Sequence, residues 1–598
     1  MKDKELSPSS TPPSTTPIPM PMPQEQQELP RPVIIAGAGP CGLVAALTLQ
    51  QHGVPFLLCE RASRDRLCSN TGSGIDIAPQ AMDILANQLH IDMSTAMRPY
   101  DSMYIGRATT TKGGGDGGHR RRRPYSTYQL QDVPNAQDFG FSNRSELQKA
   151  LLASLTEGLL VQQHQHPTKD PNPDPNHNSD PNPDPTTSPE DDALSSILRC
   201  NTEIVEYEHV KEHVVVTIRT RDAVTGTKTQ STLAGSVLLA CDGIHSAIRK
   251  HLHRHTQDDY NYIGQEVWWG KTDIVPNSEL AVELQNLQQD AGLAGSMAIS
   301  LLGTPKNPGG FFSCYVSEQT HAWVYFTKPN NNSNNKNNNK NGTTASKPNQ
   351  SNDLVRRGGT VLTEDMKHHD LVAPFQTKEK LLQLFIRETV ASDITRAGFF
   401  DRANLQLPYV DGRVALLGDA AHPQSPMLGQ GANMAIVDGY VVGRRLAAAF
   451  ATGSTTLSTS ASEETATNTV SSLTTSTAVL QALADFDCPV RRTGVNKIIK
   501  EARFVGKLAV TQNRVKDWLL KAVLKYSPPS LVIKQGLKED RSNKLFVAAM
   551  ERDLAVCEGN HPNNNNNGKN KNKNTTTKNH TPTTTTSDQE TTTTITSA

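Results

Sequence analysis

Several features that would assign this chain to a membrane or secreted class are missing from its sequence. The most apolar stretch, 432–450, is interrupted by Asp438, Arg444 and Arg445. It therefore falls short of the roughly 18 uninterrupted apolar residues that a transmembrane helix needs. The first 30 residues also lack the apolar core of a signal peptide and carry several acidic side chains. These absences predict no transmembrane span and a cytoplasmic location.

Cysteine spacing and net charge exclude further classes. The eight cysteines are scattered among 598 residues, with no Cys-x-x-Cys pair. That pattern predicts reduced thiols rather than a disulfide framework, and no metal site. Lys and Arg number 60, as do Asp and Glu, so the formal net charge is zero. A balanced charge predicts no nucleic-acid partner, and the one basic run, 120–123, is interpreted as a solvated loop.

Segments of low complexity separate the parts of the sequence that could form a hydrophobic core. They are rich in Pro, Ser and Thr, in Asn and Lys, or in repeats of PNPDP. Such compositions bury too little apolar surface to offset the entropy of ordering. We therefore predict disordered tails at 1–30 and 557–598, insertions at 106–124, 163–192 and 328–353, and a disordered linker at 451–480.

The strongest local pattern is VIIAGAGPCGLVAALTLQQHGVPFLLCER, at 33–61. It predicts a strand, a GxGxxG turn, a helix and a second strand that ends at Glu60. In such a turn Gly37 allows the tight bend, Gly39 admits a pyrophosphate, and Gly42 lets helix and strand pack closely. The helix N-terminus offers N–H groups to the phosphates, and Glu60 can accept hydrogen bonds from a ribose.

Two later motifs each place an aspartate where a predicted strand ends. GSVLLACDGIHSAIR contains Asp242, and GRVALLGDAAHPQSPMLGQGAN contains Asp419. Ligands of open parallel sheets bind at the carboxyl ends of the strands. The second of these motifs runs into a predicted helix start at 429–433, whose N–H groups suit partial negative charge on a reduced flavin. Arg144 and Arg249 are candidate partners for phosphate or acid groups.

Taken together, the motifs resemble the three fingerprints of the single-component, FAD-dependent aromatic hydroxylases and epoxidases. These are the class A, para-hydroxybenzoate hydroxylase-like flavoprotein monooxygenases, which include salicylate-hydroxylase-like and zeaxanthin-epoxidase-like enzymes. The resemblance implies an α/β fold with a doubly wound, glutathione-reductase-like Rossmann domain for FAD, a β-sheet substrate domain and C-terminal helices. The implied boundaries are 31–255 and 395–450 for the FAD-binding domain, 256–394 for the substrate domain and 481–556 for the helices.

The resemblance also implies which residues contact FAD. By their positions in the motifs, these are Gly37, Gly39, Gly42, Glu60, Arg61, Gly74, Arg144, Asp242, Asp419, Gly429, Gly431, Ala432 and Asn433. His422 stands where the family usually has a histidine, at a loop turn before a proline, which favours a structural role over proton transfer. The resemblance implies no particular catalytic acid or base.

The implied reaction reduces FAD with NAD(P)H and forms a flavin C4a-hydroperoxide with O2. One oxygen atom then passes to an aromatic or alkene-containing small molecule, such as a terpenoid. Two alternatives stay open: a related FAD-dependent reductase or oxidase without oxygen insertion, and a non-catalytic FAD-binding protein. The sequence does not identify the substrate, the choice between NADH and NADPH, or the oligomeric state.

Residues 503–525 predict one basic amphipathic helix. The apolar residues on one side of it are Phe504, Leu508, Val515, Leu519 and Val523. Such a helix suits either attachment to a membrane surface or packing against the FAD-binding domain. Because the family ends in helices that pack in this way, the resemblance favours packing.

Overall fold

The computed structural model describes residues 31–69, 74–108, 124–129, 139–165, 189–256, 260–328, 359–375, 379–402, 405–455, 464–527 and 529–557. The tails and insertions predicted at 1–30, 106–124, 163–192, 328–353 and 557–598 lie wholly or mostly outside these residues. The chain forms two compact units, Met1–Glu551 and Arg552–Ala598. The described residues of the second unit, 552–557, are helical. The sheets and the site described below belong to the first.

The described strands are short except where they form the larger sheets. In chain order they are β1 (Val33–Ala36), β2 (Phe56–Cys59), β3 (Gly74–Ile77), β4 (Met97–Pro99), β5 (Ser102–Arg107), β6 (Ser126–Gln129), β7 (Gly140–Asn143), β8 (Leu198–Arg199), β9 (Thr202–Val210), β10 (His213–Arg221), β11 (Lys228–Gly235), β12 (Val237–Ala240), β13 (Tyr260–Asp273), β14 (Met297–Thr304), β15 (Asn307–Tyr315), β16 (Thr320–Thr327), β17 (Thr360–Val361), β18 (Thr395–Arg402), β19 (Val410–Asp411) and β20 (Val414–Leu416).

The described helices occur along the whole described chain, with five in succession after residue 429. In chain order they are α1 (Pro40–Gln51), α2 (Arg64–Cys68), α3 (Pro79–Met82), α4 (Arg144–Gln165), α5 (Pro189–Ile197), α6 (Ala247–Leu252), α7 (Glu279–Ala291), α8 (Glu364–Lys367), α9 (Ala373–Phe375), α10 (Lys380–Glu388), α11 (Gln430–Thr455), α12 (Glu464–Phe486), α13 (Pro489–Ala509), α14 (Arg514–Tyr526) and α15 (Pro529–Cys557). Single 3₁₀ turns at Gly418–Ala420 and Pro426–Leu428 interrupt the loop before α11.

A six-stranded sheet carries the three sequence motifs. Its order is β19-β20-β12-β1-β2-β8, and every pairing is parallel except that of β19 with β20. All residues of β1, β12 and β20 are buried, as expected for a parallel sheet covered by helices. Helices α1 and α11 pack closely at Gly443. A side chain there would lie only 2.7 Å from Thr48 Cβ, so this approach requires glycine. This architecture confirms the predicted α/β class.

An eight-stranded mixed sheet forms the second large layer. Its order is β17-β18-β13-β16-β15-β14-β5-β6, and only β5 with β14 is parallel. One face buries an apolar cluster against α7 and α10, with Trp323, Phe311 and Phe385 among its largest members. Strands β5, β6 and β18 lie in segments expected to belong to the FAD-binding domain, yet they pair within this sheet. Long-range pairing of this kind leaves no local pattern in the sequence.

A smaller sheet has three strands, in the order β3-β7-β4. It contacts the eight-stranded sheet at two places. Gly74 of β3 packs on the eight-stranded sheet, since a side chain there would lie 3.0 Å from Ala322 Cβ. Phe141 of β7 packs into a cluster with Cys314 and Val316 of the same large sheet. The remaining sheet, β11-β10-β9, is an antiparallel meander.

The C-terminal region differs from its prediction in two places. The single helix predicted at 503–525 is two helices, α13 and α14, because Asn513 caps a new N-terminus. Its Oδ1 accepts hydrogen bonds from the N–H groups of Val515 (2.9 Å) and Lys516 (3.1 Å). Within the predicted linker 451–480, the structure has the end of α11 and the first part of α12. Among the described residues, no helix is both long enough and apolar enough to cross a lipid bilayer.

Candidate active site

The three motifs meet at one edge of the six-stranded sheet. Gly37 follows β1, Asp242 follows β12 and Asp419 follows β20, and these strands are immediate neighbours. Because the strands are parallel, their carboxyl ends lie side by side. The structure therefore brings together residues that are far apart in the chain, at the edge where ligands of such sheets bind.

The turn after β1 has the shape of a phosphate-binding loop. Gly37 adopts a left-handed φ of +97°, and a side chain there would lie 2.5 Å from the carbonyl oxygen of Cys241. A side chain at Gly42 would overlap the carbonyl oxygen of Gly37. Gly39 is the N-cap of α1, and a Cβ added to it would have no atom within 4 Å. The backbone at the start of α1 therefore borders open space at Gly39, where helix N–H groups can bind an anion.

Both carboxylate oxygens of Glu60 accept hydrogen bonds, and one of these bonds connects Glu60 to this loop. Oε2 accepts a hydrogen bond from the N–H of Ala38 (2.8 Å), and Oε1 accepts one from the N–H of Ala62 (2.7 Å). Each oxygen keeps a second lone pair that can accept from a hydroxyl group. Glu60 therefore presents acceptors beside the phosphate-binding loop, which is the position that a ribose requires.

Asp242 and Asp419 are carboxylates with unused hydrogen-bonding capacity. Oδ2 of Asp242 accepts from the N–H of Ala247 (2.9 Å), whereas its buried Oδ1 has no partner among the described residues. Burial raises the pKa of the Asp242 carboxyl. Burial also raises the pKa of Asp419, against the opposing charges of His422, Arg144 and Arg249. The Asp419 side chain nevertheless reaches solvent, so its carboxylate is accessible to a ligand at this edge of the sheet.

The two arginines near Asp419 differ in their contacts. Arg249 is buried and donates to the carbonyl oxygens of Ile244 (2.8 Å) and Ala420 (3.3 Å). It therefore ties the second motif to the third. Arg144, the first residue of α4, is exposed, and its charge lowers the pKa of Asp419. Arg144 is consequently the better placed of the two to contact an anionic ligand.

The segment 429–433 begins α11 and is held against β3. Gly429 has a left-handed φ of +65°. Asn433 accepts from the N–H of Ala78 (2.9 Å) and donates to the carbonyl oxygens of Asp76 (3.0 Å) and Gly429 (2.9 Å). A side chain at Gly431 would meet only Nε2 of Gln424, at 3.9 Å. Open space at Gly431 is what a flat ring lying on this segment needs.

Three of the predicted residues have other surroundings. Gly74 contacts the eight-stranded sheet, as described above, and Ala432 is half-buried beside Asn433. Arg61 is exposed and lines a surface groove of about 680 Å³. The other residues that line this groove are Glu203, Val205, Glu206, His245, Ala247, Lys250 and His251.

A buried ionic cluster that the sequence motifs do not predict supports the third motif. The Asp438 carboxylate accepts hydrogen bonds from the N–H of Gly418 (3.0 Å), from Nε2 of His422 (2.6 Å) and from Arg491. Burial alone would raise the pKa of Asp438, but the charge of Arg491 and the hydrogen bonds lower it to about 2. His422 is thus engaged with a carboxylate inside the protein. The sequence signal for this cluster was Asp438, the single acidic residue of a largely apolar helix.

Asp76 is a second carboxyl that no sequence motif singles out. Its Oδ1 is shielded from solvent and has no partner among the described residues, and Oδ2 lies 2.6 Å from the position of a Cβ at Gly429. Burial, followed by the negative charge of Asp540, raises the pKa of Asp76 to about 7. The sequence feature that could have revealed Asp76 is its place between two isoleucines of the strand GIDI, since acidic residues are rare at buried positions.

With this geometry in hand, comparison with known proteins identifies the family. A family model described as an FAD-binding domain matches residues 31–167 and 191–474. This match covers well over half of the chain and contains the three motifs. The chain belongs to this family, that of the class A flavoprotein monooxygenases.

Individual relatives are similar over different lengths. The chain is 22% identical to 3-hydroxybenzoate 6-hydroxylase 1 of Aquipseudomonas alcaligenes over 414 residues, which are 68% of this chain and 78% of that protein. It is 56% identical to 3-amino-4-hydroxybenzoate 2-monooxygenase of Streptomyces cremeus over 50 residues, 8% of this chain and 12% of that protein. The second match is therefore local.

Solved structures share the fold. HpxO of Klebsiella pneumoniae, crystallised with FAD and uric acid, superposes with a TM-score of 0.56 at 18% identity, over 86% of this chain and 97% of that one. CtdE, crystallised with FAD and a substrate, superposes with a TM-score of 0.56 at 15% identity, over 88% and 100% of the two chains. At these identities the likeness concerns the arrangement of the chain.

We predict that Asp438→Asn destabilises the protein by about 3–5 kcal/mol, because it leaves the buried Arg491 without a counter-charge. Denaturant unfolding of the FAD-loaded protein measures the loss. The control is Glu318→Gln, which removes the counter-charge of Arg98 in a pair whose side chains are 38% and 81% exposed. That change should cost less than about 1 kcal/mol. Equal effects of the two substitutions would contradict a supporting role for the Asp438 cluster.

We also predict a spectral transition of the bound flavin with a midpoint near pH 7, caused by ionisation of Asp76 beside Gly429. The other titratable groups that face Asp76 are Asp540, Tyr100 and Cys314. Asp76→Asn should abolish the transition, and Asp540→Asn should move it to lower pH because a neighbouring negative charge is lost. A pH titration of the visible absorbance measures it. An unchanged midpoint in Asp76→Asn would assign the transition to another group.

Proposed function

We propose that this chain is an FAD-dependent monooxygenase that uses NAD(P)H and O2 to hydroxylate or epoxidise an aromatic or alkene-containing small molecule. The observation that carries the proposal is the convergence of the phosphate-binding loop, Asp242 and Asp419 at one sheet edge, in a chain of this family. A dinucleotide dehydrogenase needs the first of these features but has no use for the other two.

The proposed FAD contacts divide into three groups. The loop at 37–42 and Glu60 would hold the ADP half through backbone N–H groups and carboxylate acceptors. Asp242 and Asp419 have acceptor oxygens suited to the hydroxyl groups of the ribityl chain, and Arg144 offers a positive charge. The segment 429–433 would lie beside the flavin ring. When bound, FAD supplies electron transfer and oxygen activation, and the protein supplies position and surroundings.

The surface next to this site supports an aromatic or otherwise unsaturated substrate. Phe141, Cys314, Val316, Ala322 and Ala298 form a buried cluster between β7 and the eight-stranded sheet. Tyr100 and Phe312 pack against it, with ring centroids 4.9 and 5.4 Å from that of Phe141. We propose that the partly buried rings of Tyr100 and Phe312, which border this cluster, offer an apolar surface to a flat substrate. Two relatives are named for hydroxybenzoate substrates, which supports the aromatic class.

The test measures three properties of the purified full-length protein. We expect it to retain FAD, to oxidise NADH or NADPH faster when a suitable phenol or terpenoid alkene is added, and to transfer labelled oxygen from ¹⁸O2 into the product. FAD retention with NAD(P)H oxidation but no labelled product would instead favour the reductase or oxidase. FAD retention without any NAD(P)H oxidation would favour a non-catalytic FAD-binding protein.

Gly431→Val tests whether the segment 429–433 lies at the flavin ring. The added side chain would project into space that no described residue fills, so we expect slower flavin reduction or release of hydrogen peroxide without product. The ADP contacts are remote from this position, so FAD should stay bound. Gly431→Ala is the matched control and should behave more like the wild type. Wild-type turnover and coupling in Gly431→Val would place the ring elsewhere.

A further inference from the structure

Helix α14 exposes a continuous stripe of large apolar side chains. Their positions, i, i+3, i+4, i+8 and i+11, put them on one face of the helix. The side chains, with their exposed fractions, are Val515 (72%), Trp518 (68%), Leu519 (56%), Val523 (50%) and Tyr526 (76%). No residue of this helix is buried. The helix therefore does not pack through its apolar face, contrary to the interpretation that the family resemblance favours.

Polar contacts of Lys521 connect α14 to the rest of the protein. Lys521 donates from Nζ to the carbonyl oxygen of Gly303 (2.9 Å) and pairs with Asp517 at 2.7 Å. The Lys521 and Asp517 side chains are only 14% and 17% exposed, so this polar side faces inward. Lys521 also lies over the ring of Tyr125, 5.7 Å from its centroid. The inward side also carries the half-buried Leu520 and Leu524, but the larger set of apolar side chains lies on the solvent side.

The exposed charges on this helix all have one sign. Arg514, Lys516 and Lys525 are exposed, whereas the acidic Asp517 is neutralised by Lys521. The preceding helix α13 exposes Phe504 and Lys507 near its end. Aromatic and aliphatic side chains flanked by cations are the composition of helices that lie in the headgroup region of a bilayer.

We infer that α14 is an interfacial helix that attaches the protein to an anionic phospholipid surface. The apolar stripe would enter the boundary between headgroups and acyl chains, and Arg514, Lys516 and Lys525 would pair with lipid phosphates. The attachment is peripheral and is independent of the reaction proposed above.

Charge argues against a second copy of the chain as the occupant of this face. A two-fold contact sets each patch against its own copy, so the exposed cations of two helices would face one another. The helix has 13 residues and is about 20 Å long. Alone, it is too small for a standard interface of about 800 Å² per partner. An anionic surface satisfies both the stripe and the charges.

The experiment is co-sedimentation of the full-length, FAD-loaded protein with vesicles. Vesicles of phosphatidylcholine mixed with phosphatidylserine are compared with vesicles of phosphatidylcholine alone. We expect binding to the anionic vesicles at low salt, with an affinity at least tenfold higher than for the neutral ones. Binding should weaken as salt is added, because screening reduces attraction between exposed charges. Failure of the wild type to bind anionic vesicles would overturn the inference.

Variants separate the apolar and the charged contributions. The double change Trp518→Ser and Leu519→Ser should lower the affinity more than tenfold. Lys516→Glu with Lys525→Glu should remove the preference for anionic lipid. Val224→Ser, at another exposed valine (94%), is the matched control and should bind like the wild type.

Two further measurements control for misfolding of the variants and for dimerisation. Retained FAD and an unchanged circular dichroism spectrum show that each variant is folded. Equal lipid binding by the Trp518 and Leu519 double variant and the wild type would overturn the inference. So would sedimentation analysis showing a wild-type dimer that this double variant dissociates, because a second copy would then cover the face.

Discussion

The Asp438 carboxylate is the contact on which the site depends, because it joins helix α11 to the loop of the third motif and to helix α13. It accepts from Gly418 in the third motif, from His422 four residues later and from Arg491 of α13. Arg491 in turn donates to Asn543 of α15 at 3.1 Å. A buried charge is tolerated only when it is fully paired. The loop that carries Asp419 is therefore positioned by the C-terminal helices as well as by its own sheet.

Hydrogen bonds between distant segments also position the other two motifs. Arg249 bonds to carbonyl oxygens of the second and third motifs, and Glu60 bonds to the turn of the first. Asn433 connects the start of α11 to β3, which itself packs on the eight-stranded sheet. Each connection uses hydrogen bonds between buried or half-buried groups, whose loss would leave costly unpaired atoms. The three motifs at the sheet edge are thus held by elements that constrain one another, and preorganisation of this kind suits a large cofactor.

Prediction from the sequence succeeded where the information is local and failed where it is not. The turn after β1 lies in the predicted place because its glycine pattern is decided within a few residues. The pairing of β5 with β14 was not predicted, because it joins Ser102 to Met297 across a long stretch of chain. Asp438 and Asp76 escaped notice because a single acidic residue in an apolar helix or strand acquires meaning only from its partners. The inward face of α14 could not be read from its amphipathic pattern, which is the same whichever side packs.

By itself the sequence determined the family, the three motifs and the order of the elements that carry them, since these depend on residue types at short spacing. Only the tertiary structure decided which distant residues contact the buried carboxylates and which helix face is exposed to solvent. Asp76 meets Gly429, and Arg491 meets Asp438, across chain separations that no local pattern encodes. Helix α14 turns its apolar face outward because Lys521 finds a carbonyl partner on the eight-stranded sheet. Contacts between distant residues depend on how the layers pack, and packing is a property of the whole fold.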